Sequence, residues 1–199
     1  MDNNILILNY GLGNPLAISN MLEHIDIKHK VANDPSNIKK HNKIIIPGIG
    51  SFDKSINLLN ENGIKEALLE ACNDNKIILG ICLGMQIFFE KSEEGSVPGL
   101  GILEGNIVKF KKMSKIKIPH IGWNHLNFKN NHPLKVENNK FYFLHSYHLD
   151  ITNKHSIAET NYFYKFPTLI NYKNIYGVQF HPEKSGKNGM EFFKKFNSL

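Results

Sequence analysis

Apolar and polar positions follow two different patterns along this chain, and the change falls near the middle. In the first half, short unbroken apolar runs alternate with segments of helical spacing. Residues 5–9, 27–32, 43–47 and 76–81 read as buried strands. Between them, residues 15–25 place Leu16, Ser19, Leu22 and Ile25 near one helical face, and residues 52–62, 64–73 and 85–91 read as further helices. Repeated β-α-β units argue for a mostly parallel sheet with helices on both faces. The second half is different. Residues 107–110, 116–118, 125–128, 141–145, 156–160, 168–172 and 176–180 read as short strands, several of them antiparallel. Residues 189–196, with Met190, Phe193 and Phe196 at helical spacing, read as a closing helix. The expected fold is therefore three-layer α/β. It has a central, mostly parallel sheet of flavodoxin-like type and a smaller antiparallel region, all in one domain.

A chain of 199 residues buries a sizeable core without disulfides or a structural metal. The net charge of +6 comes entirely from lysine, because the sequence contains no arginine. Arginine is the preferred residue for bidentate readout of bases and phosphates, so its absence weakens a nucleic-acid reading. The densest basic stretch, Lys109, Lys111, Lys112, Lys115 and Lys117, reads as a solvated hairpin face. Cys72 and Cys82 have neither disulfide nor zinc spacing, and no basic leader or run of ~18 apolar residues is present. These features point to a cytoplasmic protein with no metal, cofactor, nucleic acid or membrane among its partners.

The sharpest chemical signal is Gly80-Ile81-Cys82-Leu83-Gly84-Met85-Gln86. A strand, a G-x-C-x-G turn and a helix form the cysteine version of a nucleophile elbow. The turn exposes the central side chain, and the helix N-terminus supplies unpaired N–H groups and a partial positive charge that favours a thiolate. The N–H of Leu83, just after the nucleophile, is placed to bind an oxyanion. Cys72 lies in a plain helical stretch and reads as structural.

Near the chain's end stands Gly177-Val178-Gln179-Phe180-His181-Pro182-Glu183. Pro182 keeps His181 extended, and residues i and i+2 of extended chain share a side. Glu183 is therefore expected beside His181, where a carboxylate orients an imidazole and stabilises its charged form. His41, His132 and His155 lack such a context and read as surface residues. Pro47-Gly48-Ile49-Gly50-Ser51-Phe52 follows a strand without matching a phosphate or dinucleotide fingerprint. A Gly-x-Gly turn at a strand's carboxyl end lies on the ligand side of such a sheet. An N–H of Ile49 or Gly50 is the expected second half of an oxyanion hole.

Together these motifs resemble the class I glutamine amidotransferases of the cysteine-triad type. The resemblance narrows over Tyr10-Gly-Leu-Gly-Asn14, residues 95–103, Pro119-His-Ile-Gly-Trp-Asn124, Phe141-Tyr-Phe-Leu-His-Ser-Tyr147 and residues 177–186. There the chain is similar, over essentially its whole length, to glutaminase subunits of imidazole glycerol phosphate synthases. The resemblance implies that Cys82 attacks the side-chain amide of L-glutamine and forms a thioester. His181 would protonate the departing ammonia and then activate water. Gln86 and the His145-Ser146-Tyr147 backbone would hold the substrate. The implied partner is a (β/α)8-barrel cyclase that receives the ammonia in histidine biosynthesis, docked near Trp123, Tyr142 and Lys184. Asn9, Pro15-Leu16 and His148 depart from the family pattern, the first two near the expected docking face. The same chemistry feeding another acceptor, such as a synthase that amidates a nucleotide-linked sugar, is the alternative. A cysteine peptidase on a similar elbow would have no need of Gln86.

Overall fold

The computed structural model describes residues 2–61, 63–112 and 117–199. Strands β1 (Asp2–Leu8), β2 (His29–Ala32), β3 (His41–Ile46) and β4 (Ile77–Ile81) alternate with helices α1 (Pro15–His24), α2 (Pro35–Lys40), α3 (Phe52–Glu61) and α4 (Ile64–Asn73). A one-turn helix α5 (Leu83–Gln86) follows, then β5 (Lys91–Ser92), β6 (Asn106–Lys109), β7 (His120–His125), β8 (Asn127–Phe128), β9 (Lys140–His145) and β10 (Tyr147–Leu149). Strands β11 (Ser156–Tyr162), β12 (Tyr164–Tyr172) and β13 (Ile175–Val178), a 3-10 turn at Pro182–Lys184 and α6 (Gly186–Asn197) complete the order.

The main sheet runs β2-β1-β3-β4-β13-β12-β11-β8, with smaller sheets β10-β6-β5 and β7-β9. Strands β1, β3, β4 and β13 pair in parallel, and β12, β11 and β8 continue antiparallel. The unbroken apolar runs reflect burial on both faces of the sheet. Leu6, Leu8, Ile44, Ile46 and Ile78 point to one side, where Phe52, Ile56 and Leu59 of α3 and Ile64 and Leu68 of α4 cover them. Ile5, Ile7, Ile45, Leu79 and Ile81 point to the other, against Ile18 and Leu22 of α1 and Phe192, Phe193 and Phe196 of α6. That is the expected three-layer arrangement.

Register determines where the chemistry falls. Ile46 lies opposite Gly80, and Ile81 opposite Val178. The carboxyl ends of β3, β4 and β13 therefore finish level, and the segments that follow them leave one rim side by side. Two glycines let them come that close. A Cβ on Gly80 would collide with the backbone of Gly84 and Met85, and one on Gly84 would collide with the carbonyl of Ile46.

Several expectations need correction. Helix α2 has clear start signals, an Asp34 cap and Pro35 in its first turn, in a stretch where no helix was expected. Leu16 is exposed; the buried face of α1 is Ile18, Ser19 and Leu22. The helix expected at 85–91 begins earlier and stops after one turn at Gln86. Residues 120–125 form a strand that was missed, while Ile118 precedes it outside any strand and Ile116 lies outside the described residues. The expected smaller antiparallel region is present as the β7-β9 sheet, and β12, β11 and β8 extend the main sheet antiparallel. His41 is buried, its Nδ1 2.7 Å from the carbonyl of Asn37, so it is not a surface residue. His132 and His155 are half-buried. Lys109, Lys111, Lys112 and Lys117 are exposed, and Lys115 lies outside the described residues.

Replacing Gly84 by Ala is expected to destabilise the fold by at least about 1–3 kcal/mol, because the new methyl meets rigid backbone rather than a movable side chain. Denaturant unfolding of purified wild type and variant checks this, and equal midpoints would contradict it.

Candidate active site

Cys82 follows the last residue of β4, and its N–H bonds the carbonyl of Val178 at 2.7 Å. Its backbone sits at φ 54° and ψ −110°, a region that residues with a Cβ rarely adopt. This turn carries the chain from strand into α5 and leaves the side chain at the rim. Because α5 has a single turn, its macrodipole is weaker than a longer helix would supply. The N–H groups of Met85 and Gln86 donate to the Cys82 carbonyl at 3.0 and 3.1 Å, so the N–H of Leu83 at the start of the turn is the relevant positive pole.

The Cys82 sulfur is 3.6 Å from Nε2 of Gln179 and 3.8 Å from the carbonyl of Leu144. It lies in the wall of a cavity of about 200 Å³. The other walls include Ile49, Gly50, Leu83, Gln86, His145, Ser146 and Tyr147, so all seven predicted oxyanion and substrate residues meet there. Gln86 donates from Nε2 to the carbonyl of Tyr147 (2.9 Å) and to Oε1 of Gln179 (3.0 Å). Gln86 thus joins the elbow to the 145–147 segment.

His181 is extended, at φ −107° and ψ 94°. Its Nδ1 lies 2.7 Å from Oε1 of Glu183, with both side chains almost wholly buried. A carboxylate accepts, so Nδ1 carries the proton and Nε2 is the nitrogen free to exchange one. Burial is the largest single influence on this imidazole and pulls its pKa down. Cys82, through its charge and then a hydrogen bond, followed by Glu183, more than offsets burial and pushes the value up to about 10. The backbone around the pair is braced. The His181 N–H bonds the Tyr142 carbonyl at 2.9 Å. Ser185 Oγ donates to the His181 carbonyl at 2.6 Å and accepts from the Tyr142 N–H at 3.0 Å.

Trp123, Tyr142 and Lys184 form one patch. Trp123 lies opposite Tyr142 in the β7-β9 register, with ring centroids 6.1 Å apart. Lys184 Nζ sits 5.9 Å from the Tyr142 ring. Trp123 is half exposed, and Ile121 beside it on the outer face of β7 is more so. A core role for Trp123 is thereby set aside.

Four site residues escaped the sequence reading. Glu94 lines the cavity and accepts the Phe52 N–H at 3.3 Å. Burial raises its pKa, partly opposed by that bond and reinforced by the charge of Asp53. Gln179 contacts both Cys82 and Gln86, the Leu144 carbonyl lies 3.8 Å from the Cys82 sulfur, and Ser185 braces His181. Gln179, Leu144 and Ser185 lie inside motifs named from the sequence, whereas Glu94 carried no hint of its place. His148 is buried, bonding the Tyr164 hydroxyl (2.8 Å) and the Leu149 carbonyl (2.7 Å); it is part of a packed aromatic cluster. Among the described residues no His, Cys, Asp and Glu group is arranged to hold a metal ion, and no helix is long and apolar enough to cross a membrane.

A strained cysteine at a strand end, a buried His–Glu pair and a small cavity are the parts that nucleophilic acyl transfer would need. The sequence profile of the family described as glutamine amidotransferase class-I matches residues 6–198, and the chain belongs to that family. It falls more narrowly among relatives named imidazole glycerol phosphate synthase subunit HisH. One from Methanococcus maripaludis is 43% identical, covering 96% of this chain and 98% of the relative. Another from Leptospira borgpetersenii is 44% identical, covering 97% and 98%. The Bacillus subtilis relative is 37% identical, covering 97% and 95%. The solved structure of PurLQS from Thermotoga maritima superposes with a TM-score of 0.76 at 18% identity, covering 98% of each chain, which shows the shared fold.

His181 is expected to remain an imidazolium through neutral pH. Its ring nitrogens, followed by NMR between about pH 6 and pH 9, should show no titration near the ordinary value. Cys82→Ala should lower its pKa more than Glu183→Gln does, because the thiolate contributes the larger upward push. A midpoint near 6.5 in the wild type would contradict the ion pair.

Proposed function

We propose that Cys82, His181 and Glu183 act as a nucleophilic triad that hydrolyses the side-chain amide of L-glutamine. In this reading the chain is the glutaminase subunit of a cytoplasmic imidazole glycerol phosphate synthase. The observation that carries it is the Cys82 sulfur in a cavity wall beside a charged, Glu183-braced imidazole. The thiolate attacks the amide carbon. The N–H of Leu83, with that of Ile49 or Gly50, binds the developing oxyanion. His181 is already protonated and delivers the proton from Nε2 to the departing amine, so ammonia leaves and a thioester remains. His181, now neutral, takes a proton from water, whose attack releases glutamate and restores the thiolate. Glu183 holds the Nδ1 proton throughout and stabilises the charged ring. The amino-acid end of glutamine sits against residues 145–147, with Glu94 as a carboxylate partner for its ammonium group and Gln86 beside it.

Ammonia released into water becomes ammonium and loses its nucleophilicity, so the site works against a docked acceptor. The family resemblance and the subunit names of the relatives support a (β/α)8-barrel cyclase in histidine biosynthesis as that partner. The exposed patch of Trp123, Tyr142 and Lys184 is the proposed contact. It is joined to the triad through the backbone bond between Tyr142 and His181.

Cys82→Ala is expected to lower glutamine hydrolysis by about 10⁶-fold while leaving the partner's reaction with added ammonium salts intact. Measurable glutamine turnover by the alanine variant would refute the triad. Trp123→Ala should weaken binding to the cyclase by about tenfold or more, as loss of an aromatic anchor does. Titration of the two purified subunits checks this, and unchanged affinity would remove Trp123 from the interface.

A further inference from the structure

Strand β7 alternates strictly, turning Ile121, Trp123 and His125 outward and His120, Gly122 and Asn124 inward. His120, on the inner face, is buried and lies opposite His145 in the register with β9. Its ring is stacked between Tyr162, at 4.0 Å between centroids, and Phe143, at 4.8 Å, with interplanar angles of 25° and 24°. Two flat neighbours hold the plane of an imidazole that nothing in the triad requires.

The hydrogen bonds of this ring assign every proton along a chain. His145 Nδ1 is 2.8 Å from the carbonyl of Tyr147. A carbonyl only accepts, so Nδ1 of His145 carries the proton. Neutral His145 then has a lone pair on Nε2, which lies 3.1 Å from His120 Nδ1. His120 must therefore donate from Nδ1 and accept at Nε2, where the Asn124 amide stands at 3.5 Å. That amide is itself oriented, donating to the Asn161 carbonyl at 3.0 Å and accepting the His125 N–H at 2.8 Å. Burial keeps both rings neutral: it pulls the His120 pKa down to about 4 and that of His145 well below its ordinary value. The far end of the chain is the Tyr147 carbonyl, which also accepts Gln86 Nε2 and belongs to the cavity wall.

We propose that His120 is a positioning residue for glutamine: by donating to Nε2 of His145 it gives that buried nitrogen its partner and anchors the ring, and through it aims the Tyr147 carbonyl and the 145–147 wall of the substrate cavity. This rests on the glutaminase reading above. Without the donor, Nε2 of His145 is left buried with no partner and the ring is held less firmly, which loosens its bond to the Tyr147 carbonyl and leaves the Gln86 amide less firmly placed. The loss falls on substrate binding, since neither histidine touches the reacting carbon.

The test compares His120→Phe, which keeps a flat ring in the stack but has no donor, with His120→Asn, whose amide nitrogen takes the place of Nδ1. Glutamine hydrolysis is measured with the cyclase subunit added, and the His145 tautomer is read from its ring ¹⁵N shifts. We expect an Nδ1–H tautomer at His145 in the wild type. For His120→Phe we expect a KM about tenfold higher with a much smaller change in kcat, the cost of one hydrogen bond. His120→Asn should recover most of that. A role in packing alone would leave the phenylalanine variant at the wild-type KM, and that result overturns the proposal. So does an asparagine variant no better than phenylalanine, or a wild-type His145 protonated on Nε2. If His120→Phe fails to fold, the ¹⁵N shift of His145 Nε2 in the wild type decides the matter: the shift of a hydrogen-bonded acceptor supports the proposal, and that of a free lone pair overturns it. Failure of the wild type to hydrolyse glutamine would sink the underlying function instead, a result the ¹⁵N shifts cannot produce.

Discussion

The site depends on a steric constraint in the backbone at the end of β4. Cys82 holds a positive φ that costs of order 1–3 kcal/mol for a residue with a Cβ, and the surrounding structure leaves it no alternative. Its N–H is tied to Val178, and the turn that follows is pressed so tightly against Ile46 and its own strand that Gly80 and Gly84 cannot carry side chains. The parallel pairing of β3, β4 and β13 sets that pressure. A shift of register would separate the thiol from Gln179 and from the loop bearing His181. The dense apolar packing of Ile44, Ile46, Ile78, Leu79 and Ile81 on both faces thus holds the geometry of the candidate site as well as a fold.

Placed on that rim, ordinary side chains acquire specialised roles through burial. His181 carries a charge in a nearly dry environment because Cys82 and Glu183 flank it, whereas His145, within electrostatic reach of His181, is held neutral. The two imidazoles differ in which partner each Nδ1 meets: a carboxylate for one and a carbonyl for the other. A carboxylate stabilises an imidazolium, while a carbonyl only fixes a tautomer.

Much of this was legible in the residues, and the parts that were not have physical reasons. Strands buried on both faces announce themselves as apolar runs, so β1, β3 and β4 could be placed from sequence. The elbow and the His-Pro-Glu segment are local, and local motifs survive without coordinates. Strand β7 was missed because His120, Gly122 and Asn124 face inward as polar or small residues, reversing the alternation that marks a strand. Helix α2 was missed because its six residues are too few for periodicity, although Asp34-Pro35 signals a start. Glu94 and Ser185 act through contacts across 42 and 43 positions of chain, a separation that spacing rules do not reach. Leu16 was misplaced because its spacing alone suggested a buried face, whereas Ile18 and Leu22 occupy it.

The buried imidazoles also bracket the conditions under which the fold holds. His120, with its pKa drawn down to about 4 by burial, gains a proton when the chain unfolds in mild acid, so its contribution is lost as pH falls below the unfolded value of about 6.5. His181, pushed up to about 10, works in the opposite sense. Its contribution is complete below about 6.5 and drains away as the medium becomes alkaline. The two contributions are together greatest near pH 6.5, and acid and alkali would open this protein from different places: the aromatic cluster on one side, the rim bearing Cys82 and His181 on the other.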